Sequence, residues 1–152
     1  MTEQLSPLAL QALAVVEESG AIINANHAHP HTIRHKGRID LVTETDIAVE
    51  AFLKERLATL APQAGFLAEE SAEDLSLPDT CWIIDPVDGT TNFAHGLPLT
   101  VTSVAYRLNG EIVLGIVNAP LLRECFIAEK GKGAWRNGER ISVSSVTACE
   151  NA

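Results

Sequence analysis

At Cys81 the periodicity of the chain changes, and this limits its fold more than any other feature. Upstream, apolar residues recur at three- and four-residue spacing. Leu8, Ala12, Val15, Val16, Ile22 and Ile23 make one stripe over residues 6–26, which predicts a helix with Pro7 in its first turn. Val49, Phe52, Leu53, Leu57 and Leu60 predict a second helix, starting near Thr45 or Asp46 with Thr45 as N-cap and ending at Pro62. HAHPH, His27 to His31, breaks the pattern and reads as a loop. GFLAEES, Gly65 to Ser71, reads as a short strand that runs into carboxylates. Downstream, CWIID reads as a buried strand and Leu99–Leu108 is β-rich. Asn109-Gly110 signals a hairpin before EIVLGIV. RECFIAEK predicts another strand, and turn glycines punctuate two short ones near Ala134-Trp135 and Ile141 to Val143. Two helices ahead of a mostly antiparallel sheet is an α+β order.

A chain of 152 residues suits one domain. Its formal charge of −9, from 11 basic and 20 acidic residues, opposes binding of a phosphate backbone through a broad basic face. The same balance suits divalent cations. Cys81, Cys125 and Cys149 form no CxxC pair and read as reduced thiols. No apolar run is read as membrane-spanning and no secretory signal opens the chain, so a cytoplasmic protein with no membrane partner is expected. SSVTACENA closes the sequence without a further element. The sheet is therefore expected to present an open edge, as the front part of something longer would.

The chemistry concentrates in WIIDPVDGTTNF, Trp82 to Phe93. An apolar strand ends on Asp85 and Asp88, with Glu69 and Glu70 upstream, and no run of Lys or Arg lies beside them in sequence. Ionised carboxylates gathered together need a partner, and a hard cation with oxygen ligands meets that need. Mg²⁺ or Mn²⁺ fits better than Zn²⁺, since these segments hold no Cys or His. Pro86 lacks an N–H and is expected to stop the ladder, bend the strand exit and free the Val87 carbonyl as a ligand. Gly89-Thr90 is expected to open a short helix whose N–H groups suit phosphate. Each motif alone also has a plain reading, Asp-Gly as a turn and Glu69-Glu70-Ser71 as a solvated loop. EF-hand, DxD, P-loop, HExxH and GxSxG patterns all fail on spacing or are absent. His27, His29 and His31 alternate, but Pro30 interrupts a strand there, which favours a solvated loop over a Zn²⁺ or Ni²⁺ site.

DPVDGTTNF closely resembles the DPxDGTxNF signature of the inositol monophosphatase family of Mg²⁺-dependent, lithium-sensitive sugar phosphatases. HKGRIDLVTETD, AEES and GKGAWRNGERISVS resemble three further family segments in the same order. The resemblance implies the N-terminal half of an αβαβα sandwich over residues 1–152, with the C-terminal half absent. It implies metal-activated water attacking a phosphate ester, two or three Mg²⁺ ions per site in relatives with Mn²⁺ as an alternative, and a homodimer. By position, Glu69, Asp85 and the Val87 carbonyl would hold a first metal, and Asp85 and Asp88 a second. Gly89 and Thr90 would hold phosphate beside Asp88. Thr90 and Asp46 would hydrogen-bond the attacking water, Glu70 would orient it or stand behind the metal ligands, and Lys36 would lie near the site on a flap. Asp46 also has a plain reading as a helix-capping acid, Lys36 as a surface amine, and His95 as a residue of the short helix or the site mouth. Two departures stand out: Ala68 replaces a glycine before Glu69, and no tryptophan-aspartate motif supplies the family's further metal ligand. The expected substrate is a small phosphorylated alcohol or sugar, first myo-inositol monophosphate. Histidinol phosphate, fructose 1,6-bisphosphate and a 3′(2′),5′-bisphosphate nucleotide are alternatives within the class. A non-catalytic binding or regulatory module that keeps the metal pocket, and a structural subunit that dimerises through the sheet, are alternatives outside it.

Overall fold

Ser6 starts the first helix, α1 (Pro7–Asn26), as its N-cap: its hydroxyl accepts the Ala9 N–H at 3.2 Å and Pro7 occupies the first turn. The computed structural model describes residues 5–27, 33–35, 41–71 and 77–147. Two short antiparallel strands follow α1, β1 (Ile33–His35) and β2 (Leu41–Thr43), which the sequence did not announce. The second helix, α2 (Glu44–Leu60), is capped by Thr43 rather than Thr45. Thr43 and Asp46 form a reciprocal capping box, in which the Thr43 hydroxyl accepts from the Asp46 amide and Asp46 Oδ2 accepts the Thr43 N–H at 2.9 Å. The decisive signal was T-x-x-D, three residues apart, and Thr45 is instead fully buried.

The remaining strands are β3 (Gly65–Ala68), β4 (Cys81–Asp88), β5 (Val101–Leu108), β6 (Glu111–Ala119), β7 (Glu124–Glu129), β8 (Gly133–Arg136) and β9 (Glu139–Ile141), with a short helix α3 (Thr90–Ala94) between β4 and β5. They form one sheet in the order β3-β4-β5-β6-β7-β8-β9, parallel between β3 and β4 and antiparallel elsewhere. The α+β expectation holds. Asn109-Gly110 and Asn137-Gly138 both carry positive φ at the two turn positions, which two-residue hairpins require. The last strand stops at Ile141 rather than Val143: its partner β8 begins at Gly133, and the pairing reaches only as far as Ala134 opposite Ile141.

Both long helices pack on one face of the sheet. Val16 and Ile23 from α1 and Val49, Leu53 and Leu57 from α2 are fully buried against Trp82, Val104, Ile116 and Trp135. Trp82 and Tyr106 sit opposite each other on β4 and β5 with ring centroids 4.5 Å apart, a cross-strand aromatic pair. Contrary to expectation, α1 is long and apolar enough to cross a membrane by length and composition. Its stripe of Ala12, Val16 and Ile23 is instead spent inside the core, as in many helices of that composition. Alternate residues Ser103, Ala105, Gly115, Val117, Phe126 and Ala128 line a shallow apolar hollow on the sheet.

Glu129, at the end of β7, ties α1 to the sheet by accepting the Ser6 N–H at 2.8 Å, with Lys132 3.2 Å away. Burial acts to raise its pKa, but the hydrogen bonds from Ser6 and Lys132 prevail and hold it below the usual carboxylate range. A depressed folded pKa gives stability that is complete above the unfolded value and is lost as pH falls through the folded one. Thermal melts are therefore expected to show a midpoint that drops on acidification. Glu129→Gln should lower the midpoint near neutrality and flatten that acid limb; an unchanged limb would assign it to other carboxylates.

Candidate active site

Parallel pairing of β3 with β4 sets the site. Ala68 aligns with Ile84, and the Glu69 N–H donates to the Ile84 carbonyl at 3.0 Å. Glu69 and Glu70 thus leave the sheet beside Asp85 and Pro86. Residues three apart on a regular strand point to opposite faces, which would separate Asp85 from Asp88. A register shift resolves this: Asp85 pairs with Ser103 and Asp88 with Val101, so β4 takes three steps against two on β5. Pro86 bends the strand without ending it, and β4 runs on to Asp88. Two threonines on the β5 side secure the bulge. The Thr102 hydroxyl donates to the Pro86 carbonyl and the Thr100 hydroxyl to the Asp88 carbonyl, both at 2.9 Å.

Gly89 then turns the chain into α3 with φ of +92°. A Cβ there would stand 2.7 Å from the Leu99 carbonyl oxygen, so both the left-handed backbone and the close approach require glycine. Helix geometry leaves the first amides of α3 without intrahelical partners. His95 is exposed at the other end of α3 as its C-cap, and Phe93 is buried beneath.

Asp46 and Thr90 meet across 44 residues of sequence. The Thr90 hydroxyl lies 3.0 Å from Asp46 Oδ1 and 2.9 Å from the Val87 carbonyl, so its single hydrogen is shared between the two acceptors. The Val87 carbonyl is therefore not wholly free; one of its two lone-pair positions faces Thr90. Asp46 is fully buried. Its Oδ2 takes the Thr43 N–H and hydroxyl, so the capping role and the contact with Thr90 belong to one side chain.

Asp85 is the electrostatic centre. Burial raises its pKa first, then the charges of Asp88 and Asp46, against a Val87 N–H bond that lowers it; with Glu70 also raising it, the value reaches about 6. Its Oδ1 is buried and has no hydrogen-bond partner. Among the described residues no group of three or more His, Cys, Asp or Glu side chains is closed tightly enough to hold a metal as it stands. Asp88 and Glu69 are exposed, and like charges gain by standing apart. The donor set nevertheless fits Mg²⁺: all ligands are oxygens, one buried carboxylate oxygen is orphaned, and Mg²⁺ binds through one or two carboxylates while keeping several waters.

Residues 4–152 match the model of the inositol monophosphatase family. The chain belongs to that family. An inositol monophosphatase of Dictyostelium discoideum is 48% identical over 139 residues, which is 89% of this chain and 51% of that protein. The extragenic suppressor protein suhB of Bartonella henselae superposes with a TM-score of 0.86 at 33% identity, covering 93% of this chain and 56% of that one. An IMPase/NADP phosphatase complexed with Mg²⁺ and phosphate has a TM-score of 0.74 at 27% identity, over 84% of this chain and 49% of that one. The chain spans about half the length of the curated relatives it matches.

On this inositol monophosphatase fold, Asp46, Glu70, Asp85, Val87, Asp88, Gly89 and Thr90 gather at the β4–α3 corner, with Glu69 at the β3 exit beside it. Lys36, His29 and His31 fall outside the described residues. Ala68 is buried at the last position of β3 and has no positive φ, so its methyl group is accommodated as ordinary strand packing. Sequence reasoning missed Thr100 and Thr102, whose only signal was alternate threonines in LTVTSV, and Glu50. Glu50 is buried, at 4% exposure, and its Oε2 accepts the Glu70 N–H at 2.8 Å.

Proposed function

We propose that the protein is the metal- and phosphate-binding part of a Mg²⁺-dependent phosphomonoesterase that hydrolyses a small phosphorylated alcohol, first myo-inositol monophosphate. The observation that carries the reading is the buried, partnerless Asp85 oxygen among acidic neighbours, set beside the Thr90–Asp46 pair. Family membership, and the Mg²⁺ and phosphate in the solved relative, support it. Glu69, Asp85 and the Val87 carbonyl would hold one cation, and Asp85 with Asp88 a second. Bound there, Mg²⁺ supplies Lewis-acid polarisation and lowers the pKa of water.

The chain's own groups do the rest. The Gly89 and Thr90 amides receive phosphate oxygens. A water against Thr90 Oγ1 gives up a proton to that oxygen as the Thr90 hydrogen passes to Asp46 Oδ1, and the Thr43 bonds on Oδ2 keep Asp46 oriented. Glu70 borders the same space. A homodimer in a cytoplasmic setting completes the reading; the exposed Ile112, Val117 and Ile141 on the sheet favour self-association, which sedimentation would test.

Calorimetry and thermal melts with Mg²⁺ test the pocket: the melting midpoint is expected to rise with Mg²⁺ concentration by mass action. Phosphate release is then measured, on a protein of its relatives' full length because this chain alone spans about half of it, from myo-inositol 1-phosphate, histidinol phosphate, fructose 1,6-bisphosphate and a 3′,5′-bisphosphate nucleotide, with and without Li⁺. Mg²⁺ uptake without release from any of them would leave a binding module. No uptake at all would remove the site.

A further inference from the structure

We infer that Glu50 is a positioning residue, and that one face of α2 sets the spacing between the two halves of the site; the inference rests on the metal site proposed above. Asp46, Glu50 and Lys54 follow one another at four-residue intervals, so they lie along one face of α2, about 6 Å of rise apart. Each reaches a different part of the site wall. Asp46 accepts from Thr90 on α3. Glu50 accepts the Glu70 N–H. Lys54 donates to the Ser71 hydroxyl at 2.9 Å and lies 4.0 Å from Glu50 Oε1. The β4–α3 corner and the turn after β3 are thus both hung from the same helix.

The chemistry of Glu50 is that of a group acting through another. It is buried, and a buried carboxylate is tolerated when hydrogen-bonded and paired. Its acceptor oxygen meets the backbone of the residue that follows Glu69. It therefore holds the Glu69-Glu70 peptide on the same helix as Asp46, and so holds Glu70, whose charge acts on Asp85, at the strand exit. This contact is made by Glu50's reach as an acceptor, with its charge secondary.

Three substitutions separate reach from charge. Glu50→Gln keeps the acceptor and loses the charge. Glu50→Asp keeps the charge and withdraws the acceptor by one methylene. Glu50→Ala removes both. Exchange of the Glu70 amide, followed by NMR, and Mg²⁺ affinity, followed by calorimetry, are measured for each against the unaltered protein. Glu50→Gln is expected to retain slow exchange and Mg²⁺ affinity. Glu50→Asp and Glu50→Ala are expected to speed Glu70 exchange and weaken Mg²⁺ binding by roughly ten- to a hundredfold, the usual effect of losing a group that orients metal ligands. Glu50→Asp keeps the test open should Glu50→Ala not fold. Unchanged exchange and affinity in Glu50→Asp, or a Glu50→Gln as impaired as Glu50→Asp, would overturn the inference. No Mg²⁺ uptake by the unaltered protein would instead overturn the proposed function, and with it the metal-orienting role, whatever the Glu50 variants do.

Discussion

Asp85→Asn is expected to abolish the proposed Mg²⁺ binding and, in a protein of its relatives' full length, the proposed phosphate-ester hydrolysis, and to make the metal-free protein more stable. The two effects have one cause. Burial and the Asp88, Asp46 and Glu70 charges raise the Asp85 pKa from 3.8 to about 6. A folded pKa above the unfolded one means that the native state binds the proton more tightly. Stability that is full below 3.8 is therefore lost as pH rises through about 6, and near neutrality the ionised Asp85 works against folding. Allowing for solvent screening of a part-exposed group, the cost is roughly 1–3 kcal/mol. Asparagine removes the charge, so without Mg²⁺ the variant should melt higher. It also removes the anionic ligand shared by both proposed cations, so added Mg²⁺ should no longer raise the melting midpoint. Melts with and without Mg²⁺ read both signs at once. A variant that melts lower without Mg²⁺ and still gains from it would remove Asp85 from the centre of the site.

In a protein of its relatives' full length, Thr90→Val should lower the proposed turnover by roughly a hundredfold or more while leaving Mg²⁺ affinity nearly intact, because it deletes the hydroxyl between the proposed water position and Asp46 but no proposed cation ligand side chain. Valine keeps the shape and cannot donate, so Asp46 Oδ1 and the Val87 carbonyl each lose a neighbour. The stability cost is about 1.5–3 kcal/mol, that of one hydrogen bond with a charged acceptor. Thr90→Ser restores the hydroxyl and is expected to recover most of the turnover. Combining Thr90→Val with Asp46→Asn should add little to either alone, since the two side chains act as one unit. Steady-state kinetics on the four variants and the unaltered protein decides it: full additivity, or a serine variant as slow as the valine one, would separate Thr90 from Asp46.

Much of this site was visible as residue types at fixed spacing. The DPVDGTTNF segment carries its own corner: a proline that costs the ladder one N–H, and a glycine whose φ of +92° no other residue adopts easily. The Asn-Gly hairpins and the two helical stripes were legible for the same reason, since turn chemistry and periodicity are local. Thr43 was misassigned because Thr45 also precedes an apolar run, and only backbone geometry tells which threonine faces the amides. Proximity to the helix start suggested Asp46 as a cap, and the structure makes it both the cap and the partner of Thr90.

The sequence by itself determined the long helices, the main sheet strands, their turns and the supply of candidate oxygen ligands, because these follow from interactions within a few residues. Only the tertiary structure decided which of those oxygens share a space. Parallel pairing of β3 with β4 carries Glu69 and Glu70 alongside Asp85, a β-bulge brings Asp88 back toward it, and α2 supplies Asp46 and Glu50 at one helical spacing. The physical reason is burial: the helix stripe and the sheet face lose water only in one docking arrangement, and that arrangement sets distances that no local preference encodes.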